Sequence, residues 1–91
     1  MRVIRASLAG SPQGPAQDSA LALVSDLLWA HTAPSHGLEH LRAKASDEGM
    51  DVYLFLRAAS EAAALDQAHA ILTSAHSPLV SHGYRATATH R

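Results

Sequence analysis

The sequence predicts an α+β fold in which two helices cover one face of a four-stranded antiparallel sheet. Three observations lead to this prediction: short segments in which apolar and polar residues alternate, two longer segments with helical periodicity, and a tight polar turn between the two central alternating segments. The segments follow the order strand, helix, strand, strand, helix, strand. With 91 residues, the chain is long enough for one small domain covering 1–91.

The first half of the chain contains one predicted strand and one predicted helix. Residues 2–8 alternate, with Ile4 on one side and Arg5 on the other, as in a half-buried strand. A loop rich in glycine and proline follows at 10–15. Residues 16–31 repeat apolar side chains along one face of a helix. The predicted apolar face consists of Ala20, Leu21, Val24, Leu27 and Leu28.

A hairpin and a second helix are predicted in the second half. Residues 38–45 and 50–58 flank the polar turn 46–49, and this short separation predicts a β-hairpin with Gly49 at positive φ. The following helix is predicted over 60–76, with Ser60 as its N-cap.

The last predicted element is a strand over 79–89, which follows Pro78 and contains Gly83. With this strand, the chain has two strand–helix–strand units joined through the hairpin. That order is typical of the split ferredoxin-like arrangement, in which an antiparallel sheet carries both helices on one face. We therefore predict a ferredoxin-like βαββαβ sandwich.

The composition excludes several classes of protein. The chain contains no cysteine, which excludes disulfide scaffolds, thiolate zinc sites and cysteine nucleophiles. No apolar segment approaches the roughly 20 residues that span a bilayer, and the first residues lack the apolar core of a signal peptide. We expect a soluble cytoplasmic protein without membrane contact. The net charge of −1 argues against a protein that coats polyanions with its whole surface.

The basic residues are distributed unevenly over the predicted fold. None of the 7 lies in a predicted helix, whereas acidic residues occur in both helices and around the hairpin turn. If the apolar side of each strand packs against the helices, the remaining side chains point to the face without helices, which we call the open face. The side chains predicted on the open face are Arg5, Arg42, Lys44, Arg57, His40, Tyr53 and Phe55.

An exposed face with basic and aromatic side chains is typical of a contact surface. The leading hypothesis is a noncatalytic interaction or accessory protein that forms a homodimer by packing two open faces together, or that binds another protein. Tyr53, Phe55 and Trp29 would supply the contacts. The basic side chains that would select the partner are Arg5, Arg42, Lys44 and Arg57.

Single-stranded nucleic acid is a second possible partner of the open face. The spacing of Tyr53 and Phe55 resembles that of the aromatic residues on which bases stack in RNA-recognition-motif domains. The Arg/Lys-Gly start of that motif is absent, and the first predicted strand has no aromatic residue.

A small anionic ligand is the third hypothesis, held by the arginines or by the loop at 10–15. This loop precedes a helix N-terminus, where free N–H groups favour anions. Its position resembles that of the glycine-bearing loop in ACT-type regulatory domains, and the resemblance implies amino-acid binding. Pro12 and Pro15 and the lack of an adjacent acidic residue depart from the ACT pattern and also fit a rigid connector.

The remaining candidate residues predict no catalysis. Trp29 lies away from the apolar face of its helix, so we expect it to contact a partner or the following loop. His36 and His40 are separated by a predicted loop boundary, and we predict no metal site or cofactor. His82 is predicted to point inward from the last strand. Because no catalytic motif is present, we predict that the protein is not an enzyme.

Overall fold

A computed structural model describes residues 1–90 and shows an α+β fold built on one antiparallel sheet. Its strands are β1 (Arg2–Gly10), β2 (Leu38–Ala45), β3 (Gly49–Leu56) and β4 (Tyr84–His90). Its helices are α1 (Asp18–Ala30), α2 (Glu61–Ser74) and the short α3 (His76–Ser81), with a 3-10 turn at Pro34–His36. None of the helices within residues 1–90 is long and apolar enough to cross a membrane. The strand order is β2-β3-β1-β4, so β2 and β4 form the two edges.

One face of the sheet packs against the helices. In β1 and β3 alternate residues are buried, and the register pairs Ile4 with Leu54 and places both on the same face. This face forms a single apolar cluster with residues of α1, including Val24, and of α2, including Ile71. The predicted combination of a four-stranded antiparallel sheet with two main helices is thereby confirmed.

The predicted hairpin is also confirmed, but the reason for its glycine differs from the expected one. The Ser46 N–H donates to the Gly49 carbonyl at 3.1 Å, and the Gly49 N–H donates to the Ser46 carbonyl at 3.2 Å. Gly49 is not among the glycines with positive φ. A Cβ at this position would instead collide with the backbone of Leu8 on β1. Close approach of two strands therefore requires the glycine.

The prediction of one strand over 79–89 is wrong in its first part. Residues His76–Ser81 form α3, which buries Leu79 in the core, and the strand begins only after Gly83, whose φ is 82°. Pro78 is the third residue of α3, where a backbone N–H has no partner within the helix, so proline is tolerated. His82 is exposed, contrary to its predicted inward orientation.

Candidate functional site

The central row of the open face places Tyr53 between two arginines. Tyr53 on β3 pairs with Arg42 on β2 and with Arg5 on β1. Directly opposite residues in antiparallel strands have Cβ atoms about 4.5–5.5 Å apart, so both arginines neighbour the ring. Tyr53 and Arg5 are half-buried, whereas Arg42 is exposed. The sheet thus presents an aromatic ring flanked by a cation on each side.

The neighbouring row is mainly apolar. Phe55 pairs with Val3 on β1 and with His40 on β2. The His40 and Phe55 ring centroids are 5.2 Å apart with a tilt of 47° between the planes, a geometry within the favoured range for aromatic pairs. Val3 is 41% exposed. An apolar strip therefore lies directly beside the arginine row.

A third row contains an acidic residue with its own partners. Asp51 pairs with Lys44 on β2 and with Ser7 on β1. The Ser7 hydroxyl donates to Asp51 Oδ1 at 3.1 Å. Because Asp51 already accepts a hydrogen bond and faces a lysine, its charge is partly offset inside the sheet.

Basic residues outnumber acidic ones on the strands of the open face within residues 1–90. Five basic residues lie there, Arg5, Arg42, Lys44, Arg57 and Arg85, beside the acidic residues Glu39 and Asp51. Two further acidic residues of the hairpin turn, Asp47 and Glu48, line a depression with Ser7 and Asp51 at one end of this face. Arg85 on β4 pairs with Ala9 and is therefore turned to the same side as Arg5.

The basic residues differ in their partners. Arg57 Nε lies 3.5 Å from Glu39 Oε2, but the Arg57 side chain is 81% exposed, so this ion pair contributes only about 0–1 kcal/mol. Among residues 1–90, Arg5, Arg42 and Lys44 form no salt bridge. Arg5 Nε is in addition buried without a hydrogen-bond partner. The cations closest to Tyr53 are thus not neutralised by a carboxylate of residues 1–90.

A depression connects the arginine row with the apolar row. It has a volume of about 570 Å³ and lies along the β2 side of the open face. Its walls are formed by Arg42, Ala43, Lys44, Tyr53 and Phe55. Four of the seven predicted contact residues therefore line one surface feature.

The other predicted contact residues are not all on the same side of the molecule. Arg5 and Arg57 border the depression from β1 and from the end of β3. Trp29 is 43% exposed but belongs to α1, in the helix layer that packs against the opposite face of the sheet. A ligand on the open face would therefore not reach Trp29.

Gln67 is a positioning residue that the sequence did not reveal. From α2, its side-chain nitrogen donates to the His36 carbonyl at 2.6 Å and to the Arg57 carbonyl at 3.0 Å. These hydrogen bonds connect α2 to the 3-10 turn and to the residue that follows β3, and so hold the backbone of Arg57 in place. Because a glutamine on a helix surface usually faces water, no pattern in the sequence indicated this link.

The loop at 10–15 is held by backbone hydrogen bonds. The N–H groups of Gly10 and Gly14 donate to the Glu48 carbonyl at 2.9 and 3.5 Å, and that of Ser11 donates to the Gly83 carbonyl at 2.8 Å. These donors already have acceptors in the protein and are not presented to an anion. The loop therefore packs between the hairpin turn and the start of β4 and holds them together through its backbone, as a rigid connector would.

A second cavity lies between α2 and β4, away from the open face. It has a volume of about 590 Å³ and includes His69, whose Nε2 lies 2.9 Å from Thr89 Oγ1. No group of three or more His, Asp or Glu side chains within residues 1–90 is arranged to hold a metal ion. Comparison of the chain with protein-family models, with curated proteins and with solved structures gave no match.

Proposed function

We propose that this protein is a noncatalytic binding module that holds single-stranded nucleic acid on its open face. The observation that carries the proposal is Tyr53 flanked by Arg5 and Arg42, beside the strip formed by Phe55 and His40. Bases of a single strand stack on aromatic side chains, and each stacked base contributes about 1–3 kcal/mol. Phosphates of the same strand bind the adjacent cations and release counterions.

The finer fold assignment is part of this proposal. The order β2-β3-β1-β4, with α1 following β1 and α2 following β3, supports a ferredoxin-like sandwich. In that arrangement the central strands present their outward side chains on a surface that helices leave uncovered. Such a sheet is the platform on which RNA-recognition-motif domains stack bases.

The charge of the open face favours a polyanion over a second copy of the same face. Packing two open faces together would collect the five basic residues of each copy at one interface, where Glu39 and Asp51 already have basic neighbours and Asp47 and Glu48 lie only at the hairpin turn. Like charges brought together in this way oppose association. A homodimer through the open face, or contact with another protein, is therefore kept as the alternative outcome.

Binding of a fluorescently labelled single-stranded oligonucleotide, followed by anisotropy over a series of salt concentrations, tests the proposal. If Arg5, Arg42 and Lys44 each contact one phosphate, log K should fall with log salt with a slope of about −2, since each contact contributes roughly 0.7. Replacement of the ring in Tyr53→Leu should weaken binding by roughly 5- to 150-fold through lost stacking.

Trp29→Leu is the matched control because it removes an exposed aromatic ring from the helix layer. It should leave the affinity unchanged. Absence of binding at low salt, or an equal loss in both variants, contradicts the proposal. Self-association that disappears in Tyr53→Leu, without oligonucleotide binding, would support the homodimer instead.

A further inference from the structure

The outer edge of β4 has no strand beside it among residues 1–90, because β4 ends the sheet and pairs only with β1. Unpaired N–H and C=O groups along such an edge can pair with another strand, and proteins usually block the edge with charged residues, proline or β-bulges. The four residues Ala86–Thr89 include neither a charged residue nor proline. Ala86, Thr87 and Ala88 are exposed.

The cavity beside β4 shows that the helix layer does not cover the sheet up to this edge. One wall consists of Ala86–Thr89, and the opposite wall includes His69, Leu72 and Thr73 of α2. The unpaired edge and the uncovered cavity therefore share the same strand. Any strand added to β4 would also extend over the mouth of the cavity.

We propose that β4 pairs with β4 of a second copy in antiparallel orientation, joining the two four-stranded sheets into one continuous sheet. Antiparallel pairing of two edges through a two-fold axis turns both helix layers to the same side. The two cavities then face each other across the junction and are covered by a single symmetric contact. A lone extended peptide would pair with the edge without bringing a second helix layer to the cavity.

Charge is compatible with a second copy as the occupant. In antiparallel pairing centred on Ala86–Thr89, the Arg85 residues lie at opposite ends of the contact, roughly 16 Å apart at about 3.3 Å per residue. This separation exceeds the screening length of about 8 Å at physiological salt. No charged residues are opposed at the centre, where this register places each threonine opposite an alanine.

The irregularity in β4 is confined to one residue, and Tyr84–Ala86 and Ala88–His90 on either side of it keep their pairing with β1. The register with β1 shifts between Ser7 and Leu8, which leaves Thr87 as an extra residue on β4. The Thr87 hydroxyl donates to the Ser7 carbonyl at 3.2 Å, so an acceptor at the bulge is satisfied within the domain.

Sedimentation equilibrium from low micromolar to near-millimolar concentration tests this interface. The native chain should show a monomer–dimer equilibrium. Ala88→Glu and Ala88→Lys, at an exposed position, should each raise the dissociation constant at least about tenfold, because like charges are placed near each other across the axis. An equimolar mixture of the two variants should restore the dimer through opposite charges, which also demonstrates that both variants are folded.

The matched controls are Ala45→Glu and Ala45→Lys, which place the same charges at an exposed position on the other edge strand, β2. They should leave the dissociation constant unchanged. A strictly monomeric native chain overturns the proposal. So does a dimer that resists Ala88→Glu, a dimer that Ala45→Glu weakens equally, or a mixture that stays monomeric. If the native chain is strictly monomeric over this concentration range and still binds the oligonucleotide, only this proposal is overturned and the proposed function stands.

Discussion

The edge strands β2 and β4 hold equivalent positions in the sheet but differ in charge. β2 carries Glu39, Arg42 and Lys44, whereas β4 carries Arg85 near its start and no charged residue in Ala86–Thr89. Charged side chains on an edge oppose the addition of another strand. The cations of β2 therefore protect that edge, and one of them, Arg42, also lies beside Tyr53 in the arginine row. The edge that contributes less to the open face is the one left available for pairing.

Two glycines allow the contact between the central strands β1 and β3 to be compared with the attachment of the edge strand β4. Gly49→Ala should lower the free energy of unfolding by about 3 kcal/mol, because its Cβ would collide with the Leu8 backbone, which cannot rotate away. Gly83→Ala should lower the free energy of unfolding by only about 1 kcal/mol, because alanine disfavours the φ of 82° at this position. The added Cβ would cause no severe collision, since the nearest atom, the Ser11 carbonyl oxygen, is 3.2 Å away.

Urea denaturation of both variants measures this difference. Ala45→Ser, an exposed position in the same hairpin as Gly49, serves as a control and should change stability by less than about 0.5 kcal/mol. If Gly49→Ala and Gly83→Ala lower the free energy of unfolding equally, the backbone at the β1–β3 contact can move to accommodate a Cβ as readily as the loop before β4.

Equal charge changes on the two edges sharpen the comparison of their roles in binding. Arg42→Gln should reduce the magnitude of the salt slope for oligonucleotide binding by about 0.7, the contribution of one phosphate contact. Arg85→Gln should reduce it by less, because Arg85 pairs with Ala9 at the far end of β1 and has no aromatic residue opposite. The salt series used for the native chain measures both slopes. Equal slopes for the two variants would indicate that the oligonucleotide also runs along β4.

The hairpin and the orientation of the open face were predictable because alternation with a period of two dominates residues 38–57. Side chains such as Arg5 and Tyr53 alternate with buried ones along well-paired strands, and the pairing preserves that pattern. Four of the five residues that line the depression followed from this alternation, whereas Ala43, which pairs with the buried Val52, did not. Local sequence was sufficient here because neighbouring strands imposed no irregularity between Arg42 and Ala45.

The last quarter of the chain was harder to predict because local patterns allow more than one structure there. Leu79 and Val80 fit a strand as well as a short helix, and Pro78, predicted to precede the last strand, instead occupies the first turn of α3. The bulge at Thr87 depends on which residues of β1 it meets. Gln67 depends likewise on a carbonyl that lies far away in sequence. These features arise from tertiary pairing, which a single sequence does not display.

The smallest expected effect concerns the helices that flank the two edges. Ser60 caps α2, and its hydroxyl accepts a hydrogen bond from the Ala63 N–H at 3.1 Å, whereas Gln17 at the N-cap of α1 makes no such bond. Ser60→Ala should therefore lower the free energy of unfolding by about 1 kcal/mol, and Gln17→Asp should raise it by a few tenths to about 1 kcal/mol. Thermal and urea unfolding of both variants measures the effect. A decrease in the free energy of unfolding of Gln17→Asp would mean that the connection between β1 and α1, rather than the free N–H groups of the first turn, determines where α1 begins.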